Sequence, residues 1–140
     1  MDRYRLPAIL SRAMAHPTRL YILDALARQE ACVCHLTTLL GQRQAHISQH
    51  LRVLRDAGLV TDRRDGQMVY YRLADGRAAA VVSLLKDMAR SLDPTLRLAE
   101  PPLPPLPGCP CPRCTEAAAN ALAPGKANPR TDPHPEGSME

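Results

Sequence analysis

The chain has 140 residues, of which 45% are hydrophobic but only 3% aromatic, and a formal net charge of +4 at pH 7. That length suits one modest domain with a tail, and its core must come from Leu, Val, Ile, Ala and Met. Four Tyr with no Phe or Trp argue against stacking single-stranded nucleic acid on aromatic platforms. There is no apolar run of about 18 residues. Nor does a long apolar region follow the start Met1-Asp2-Arg3-Tyr4-Arg5. The expectation is a cytoplasmic protein without a membrane partner, its five cysteines held as reduced thiols.

A first apolar stretch runs from Leu6 to Met14 and is interrupted by His16-Pro17-Thr18. Pro17 suits the first turn of a new helix, where its missing N–H does no harm. Leu20, Leu23, Leu26 and Ala27 then predict an amphipathic helix over 17–29. Leu36, Leu39 and Leu40 mark a third helix ending near Gly41. Ile47, Leu51 and Leu54, spaced i, i+4, i+7, mark a fourth that stops at Gly58. Asp65-Gly66 is a two-residue hairpin signal, and Met68 to Leu73 is rich in strand formers. Val81, Val82, Leu84, Leu85 and Met88 carry a last helix, which ends before Asp93-Pro94. Two helices around the turn Gly41-Gln42-Arg43, followed by a hairpin, predict a mainly α winged helix-turn-helix. It has five helices and a two-stranded β-hairpin wing.

Charge and proline divide the chain. Residues 1–92 hold 14 Lys/Arg against 8 Asp/Glu, whereas residues 93–140 are weakly acidic and carry 12 of the 14 prolines. The expected organisation is a basic folded domain over 1–92 and a disordered, Pro-rich, Cys-containing tail over 93–140. A basic domain favours a polyanionic partner such as DNA.

The helix that begins at Arg43 offers the reading surface. Gln44, Ser48 and Arg52 form one polar row, Ala45 and Gln49 the next, and His46 flanks them. Gln pairs in bidentate fashion with adenine, Ser contacts several bases, and the small Ala45 permits close approach to the major groove. In the wing, Arg63 and Arg64 precede the turn, Gln67 follows it, and Arg72 lies on the return strand. Arginines at a hairpin tip suit a minor groove or phosphates. His50 lies beside the apolar stripe and reads as a partly buried structural residue.

Glu30-Ala31-Cys32-Val33-Cys34-His35-Leu36 resembles the metal-box signature of the ArsR/SmtB family of metalloregulatory repressors. Leu40 to Val60 is similar to that family's recognition helix, Gly66 to Leu73 to its wing, and His16-Pro17-Thr18-Arg19 also fits. The resemblance covers roughly residues 4–92. It implies a homodimer built from the first and last helices on two-fold, double-stranded operator DNA, with half-sites about 34 Å apart. The domain over 1–92 would then serve both DNA binding and dimerisation.

In a regular helix Cys32 and Cys34 would point about 200° apart, so sharing an ion needs a helix start or a distorted backbone. The position just before Leu36 is such a start. Where some family members carry a third Cys, this chain has Thr37, and His35 replaces a common acidic residue. The tail offers Cys109-Pro110-Cys111-Pro112-Arg113-Cys114, behind the semi-rigid spacer Pro101 to Pro107. Pro110 and Pro112 are expected to keep this backbone extended and prevent a helix. Arg113 would favour thiolate. Two arrangements are open. Either one tail Cys, from the same or the partner subunit, completes the Cys32/Cys34 site, or Cys109, Cys111 and Cys114 bind an ion alone.

The family's second metal site, on the last helix, is not expected, because residues 77–92 contain Asp87 but no His. His134 is isolated and is expected to have no role. Three thiolates without imidazole favour As(III) or Sb(III), with Cd(II) or Pb(II) as alternatives. The resemblance leans toward arsenite, hence toward a repressor that leaves its operator when the metalloid binds. A thiol redox-sensing repressor is a rival reading. A thiol oxidoreductase or metal-delivery protein using Cys111-Pro112-Arg113-Cys114 lacks βαβ context. No nucleophile–base–orienter set and no Gly-rich phosphate loop is found, so no enzyme is expected.

Overall fold

The computed structural model describes residues 2–122. After a short 3-10 turn, α1 spans Arg5–Met14 and α2 spans Pro17–Arg28. A two-residue strand β1, Ala31–Cys32, leads into α3, Val33–Leu40, and α4, Gln44–Asp56. The wing is β2, Val60–Asp65, and β3, Met68–Leu73, followed by α5, Arg77–Leu92, and α6, Pro112–Leu122.

Local chemistry sets the boundaries. Pro17 opens α2, and the His16 ring accepts the Thr18 N–H at 3.1 Å as the N-cap. Gly41 ends α3 in the left-handed region at φ 61°, which a side chain would resist. The wing loop is Gly66-Gln67, one residue later than the sequence signal, because Asp65 still pairs with Met68. Gly66 has φ 60°, and no non-glycine residue among those described has positive φ. Positive φ at the first loop position only is the type II′ pattern, which matches strand twist.

The core lies where α2, α3 and α4 meet the sheet. Ile22, Leu23, Leu36, Ile47, Leu51 and Leu54 are fully buried, and Val60 joins them. All three apolar positions predicted for α4 therefore face inward, which turns the Gln44/Ser48/Arg52 row outward. Lys86 Nζ meets the Asp24 carboxylate at 2.8 Å and links α5 to α2. Large apolar side chains remain exposed on α1 (Leu6, Ile9) and α5 (Leu84, Met88, Leu92). Among the described residues, no helix is long and apolar enough to cross a membrane.

The sheet has three strands in the order β1-β3-β2, all antiparallel. Sequence reading finds the hairpin but misses β1. Two residues are too few to display alternation, and the strand is defined by its partner: Ala31 lies opposite Tyr71, and Cys32 opposite Tyr70.

The tail differs from expectation over its described part. Pro112 does not prevent a helix but opens α6, where it has no N–H to leave unbonded. The Thr115 N–H donates to the Cys111 carbonyl at 3.0 Å. Residues 93–111 return the chain to the body. Arg28 donates to the Pro101 carbonyl at 2.6 Å, and Pro101 and Leu106 are buried. Residues 123–140, including His134, lie outside the described residues.

Leu51→Ala leaves the outward face of α4 untouched but opens a cavity in the core. It is expected to lower the unfolding free energy by about 3 kcal/mol. The measurement is a shift of the urea midpoint at unchanged slope.

Candidate metal centre and nucleic-acid interface

Cys32 ends β1 and caps α3. Its backbone is extended (φ −82°, ψ 166°), and its sulfur accepts the His35 N–H at 3.4 Å. Cys34, two residues on, is already helical. This change of backbone overcomes the divergence of i and i+2 side chains in a regular helix, and the two sulfurs lie 2.7 Å apart. Thr37, at the position of the missing third Cys, donates its hydroxyl to the Val33 carbonyl at 2.8 Å.

The tail delivers the other thiols through one turn. Pro107 and Gly108 occupy its centre, Gly108 has φ 81°, and the Cys109 N–H donates to the Leu106 carbonyl at 3.1 Å. Pro followed by a positive-φ Gly is the type II arrangement. Cys111 immediately precedes α6 and Cys114 lies in its first turn. The Cys114 sulfur accepts the Leu106 N–H at 3.4 Å and lies 3.3 Å from His35 Nδ1.

Two overlapping donor sets result. The sulfurs of Cys32, Cys34 and Cys111 lie within 4.8 Å of one another. So do the ligand atoms of His35, Cys109, Cys111 and Cys114. Cys111 belongs to both. All six residues are buried except Cys34, which is partly open. A cavity of about 370 Å³ reaches Cys32, Cys34 and Cys111, and its walls include Gln44 and Gln67.

Burial disfavours charge on three of these groups. Burial, then the Cys32 hydrogen bond, pushes the Cys34 thiol well above the usual range. Burial pushes Cys114 up to about 12, against the opposing Leu106 N–H. Burial, then the Arg113 charge, pushes His35 down. Cys34 and Cys114 thus remain thiols at neutral pH and His35 remains neutral imidazole.

Glu30 organises the rim. Its carboxylate accepts Arg63 Nε at 2.9 Å and a second Arg63 nitrogen, and it also pairs with Arg113. Arg113 donates further to the Glu30 carbonyl at 3.1 Å. Both guanidinium groups lie over the Tyr70 ring, at 4.8 and 5.0 Å. The Arg63 hydrogen bond is the main cause holding the Glu30 carboxyl below its ordinary range.

The expected DNA-facing residues are each exposed. Arg43 is the N-cap of α4, and Gln44, His46, Ser48, Gln49 and Arg52 all face solvent. Arg64 and Gln67 are exposed at the wing tip. Arg63 differs in being tied back to Glu30, beside the thiols. His50 is half-buried, 3.4 Å from an Arg19 nitrogen, with its ring 4.4 Å from that of His16.

Sequence reasoning passed over His35 as a candidate donor and Glu30 and Tyr70 as its surroundings. The one available signal was His35 itself, one helical turn after Cys32. The Cys114 sulfur beside it is more than 70 residues away in the chain.

Comparison with known proteins agrees with the winged helix-turn-helix fold. The family model described as "Bacterial regulatory protein, arsR family" matches residues 16–62. The Arsenic resistance transcriptional regulator ArsR1 of Pseudomonas putida is 43% identical over 100 residues, covering 67% of this chain and 78% of that protein. The Transcriptional repressor SmtB homolog of Synechocystis is 40% identical over 92 residues, covering 66% and 67%. A solution structure of a homodimeric winged helix-turn-helix DNA-binding domain from Mycobacterium bovis superposes with a TM-score of 0.61 at 31% identity. It covers 70% of this chain and 92% of that one.

Glu30→Gln removes the charge that holds Arg113 against the body. Tryptic cleavage after Arg113 is expected to accelerate by about tenfold, equivalent to about 1.4 kcal/mol of lost docking. The rate of appearance of the 1–113 fragment by mass spectrometry checks this.

Proposed function

Because this chain belongs to the ArsR/SmtB family of winged-helix transcriptional regulators, we propose that it is a metalloid-responsive repressor. Its dimer holds double-stranded operator DNA and lets go when As(III) or Sb(III) is bound by Cys32, Cys34 and Cys111. The observation that carries this reading is the approach of those three sulfurs to within 4.8 Å at the start of α3. The set contains neither imidazole nor carboxylate. Three soft donors without a fourth ligand fit a thiophilic trivalent metalloid better than a harder divalent ion.

Residues 1–92 act as the DNA-binding and dimerisation domain. The exposed apolar side chains of α1 and α5 support pairing of two copies through these helices. Each copy presents Arg43, Gln44, His46, Ser48, Gln49 and Arg52 to a major groove. Arg64 and Gln67 reach the flanking backbone or minor groove, and Arg63 joins them when Glu30 releases it. Reduced thiols and a DNA partner accord with a cytoplasmic location.

Release follows from where the thiols are anchored. On binding, Cys32, Cys34 and Cys111 each pass the thiol proton to one hydroxide of As(OH)3 or Sb(OH)3, so that three bonds to sulfur replace three bonds to oxygen and three waters leave. Cys32 belongs to β1, which is hydrogen-bonded to the wing strand β3. Cys34 lies on α3, which packs against the recognition helix α4. Closing the sulfurs therefore strains both DNA-contacting elements. A tenfold loss of DNA affinity needs only about 1.4 kcal/mol of coupling.

The 2.7 Å approach of Cys32 and Cys34 favours one second reading, a redox switch. Here peroxide would accept two electrons and two protons from the thiols, leaving a disulfide and water.

The test is fluorescence anisotropy of the reduced protein on its own upstream DNA, with arsenite, Cd(II) and Zn(II) titrated in parallel. Arsenite is expected to weaken binding at least about tenfold. Cys34→Ser should keep DNA affinity within about twofold, well under 1 kcal/mol, and abolish release. Release by Cd(II) but not arsenite would favour a Cd(II)/Pb(II) repressor using more of the five sulfurs. Release by peroxide alone, with no ion present, would favour the redox switch.

A further inference from the structure

The geometry points to a second ion site that does not depend on the metalloid reading: a closed Cys3His site for Zn(II), made by Cys109, Cys111, Cys114 and His35. The four ligand atoms lie within 4.8 Å of one another, and all four residues are buried. Three thiolates and one imidazole in a closed, four-donor set are the ligand chemistry of structural zinc. That chemistry differs from the all-sulfur set beside it.

The surroundings meet the demands of such a site. Coordination would release three thiol protons and leave the ion and its ligands with one net negative charge. The Leu106 N–H already aims at the Cys114 sulfur from 3.4 Å, and Arg113 lies between two of the ligands. Cys111 and Cys114 flank the first residues of α6, whose positive end favours thiolate charge. His35 Nδ1 lies 3.3 Å from the Cys114 sulfur, and a ligand nitrogen of His35 is within 4.8 Å of all three tail sulfurs.

Among the described residues, the tail buries little apolar side chain beyond Pro101 and Leu106, and Cys109, Cys111 and Cys114 make up most of what it packs inward. A segment this poor in apolar area is ordinarily held by disulfides or a metal. The cysteines are free, and a structural ion converts binding energy into folding energy. Because Cys111 serves both donor sets, Zn(II) in the tail leaves the metalloid set only Cys32 and Cys34.

Co(II) is the probe, titrated into the reduced full-length chain. One equivalent is expected to give the intense visible bands of tetrahedral Co(II) with sulfur-to-cobalt charge transfer, and Zn(II) should bleach them. The bands should survive in the Cys32→Ser/Cys34→Ser variant, vanish in Cys109→Ser/Cys114→Ser, and shift in His35→Ala. Zn(II) should also slow tryptic cleavage after Arg113. A weak octahedral spectrum overturns the site, as does loss of the bands in the Cys32/Cys34 variant or an unchanged spectrum in His35→Ala. Zn(II)-loaded protein should need at least about tenfold more arsenite for half-saturation, and an unchanged midpoint overturns the sharing of Cys111. If the cobalt bands fail while arsenite still releases DNA, only the tail site falls. If arsenite fails while the bands persist, only the metalloid reading falls.

Discussion

Two residues of strand govern the geometry of this molecule. Ala31 and Cys32 pair with β3, so a thiol is fixed opposite Tyr70 in the wing before α3 begins. The same Cys32 then caps α3, and the switch from extended to helical backbone brings Cys34 round to meet it. Without that strand, two cysteines in one helix would diverge. With it, the sulfur pair is joined to the wing on one side and, through α3, to the recognition helix on the other.

The tail adds a second layer of constraint through charge. Glu30, immediately before the strand, accepts Arg63 from the wing and Arg113 from the tail. Tyr70 lies beneath both guanidinium groups. One partly buried carboxylate thus ties together three segments that lie far apart in sequence. Arg113 also separates two cysteines of the tail, so the position of the sulfurs and the position of the wing are not independent. Charge-assisted hydrogen bonds of this kind are stronger than neutral ones.

Burial gives the cluster its chemical character. Sulfur is a good core atom while protonated, and the cysteines here serve as small apolar side chains around Tyr70 and Leu106. The same burial opposes thiolate at Cys34 and Cys114. Arg113 and the Leu106 N–H lie beside the tail sulfurs as the neighbouring positive charge and donor.

Periodicity and turn chemistry made most of the fold legible. Ile47, Leu51 and Leu54 specified which face of α4 turns inward, and hence which row faces solvent. Pro17, Gly41 and Gly66 marked ends and turns by backbone restrictions that act within a few residues. The Cys-Val-Cys run likewise announced a helix start with two neighbouring sulfurs, because its logic is local. Three features were decided by tertiary structure alone. β1 is too short to carry a pattern and exists because Tyr70 and Tyr71 lie beside it. Pro112 reads equally as a helix breaker or a helix opener, and the docking of the segment around Cys111 selects the second. His35 and Cys111 become neighbours of distant sulfurs through a chain return built on Pro101, Leu106 and Arg113. No spacing rule reaches across more than 70 residues, so the choice of which thiol serves which donor set belongs to the packing.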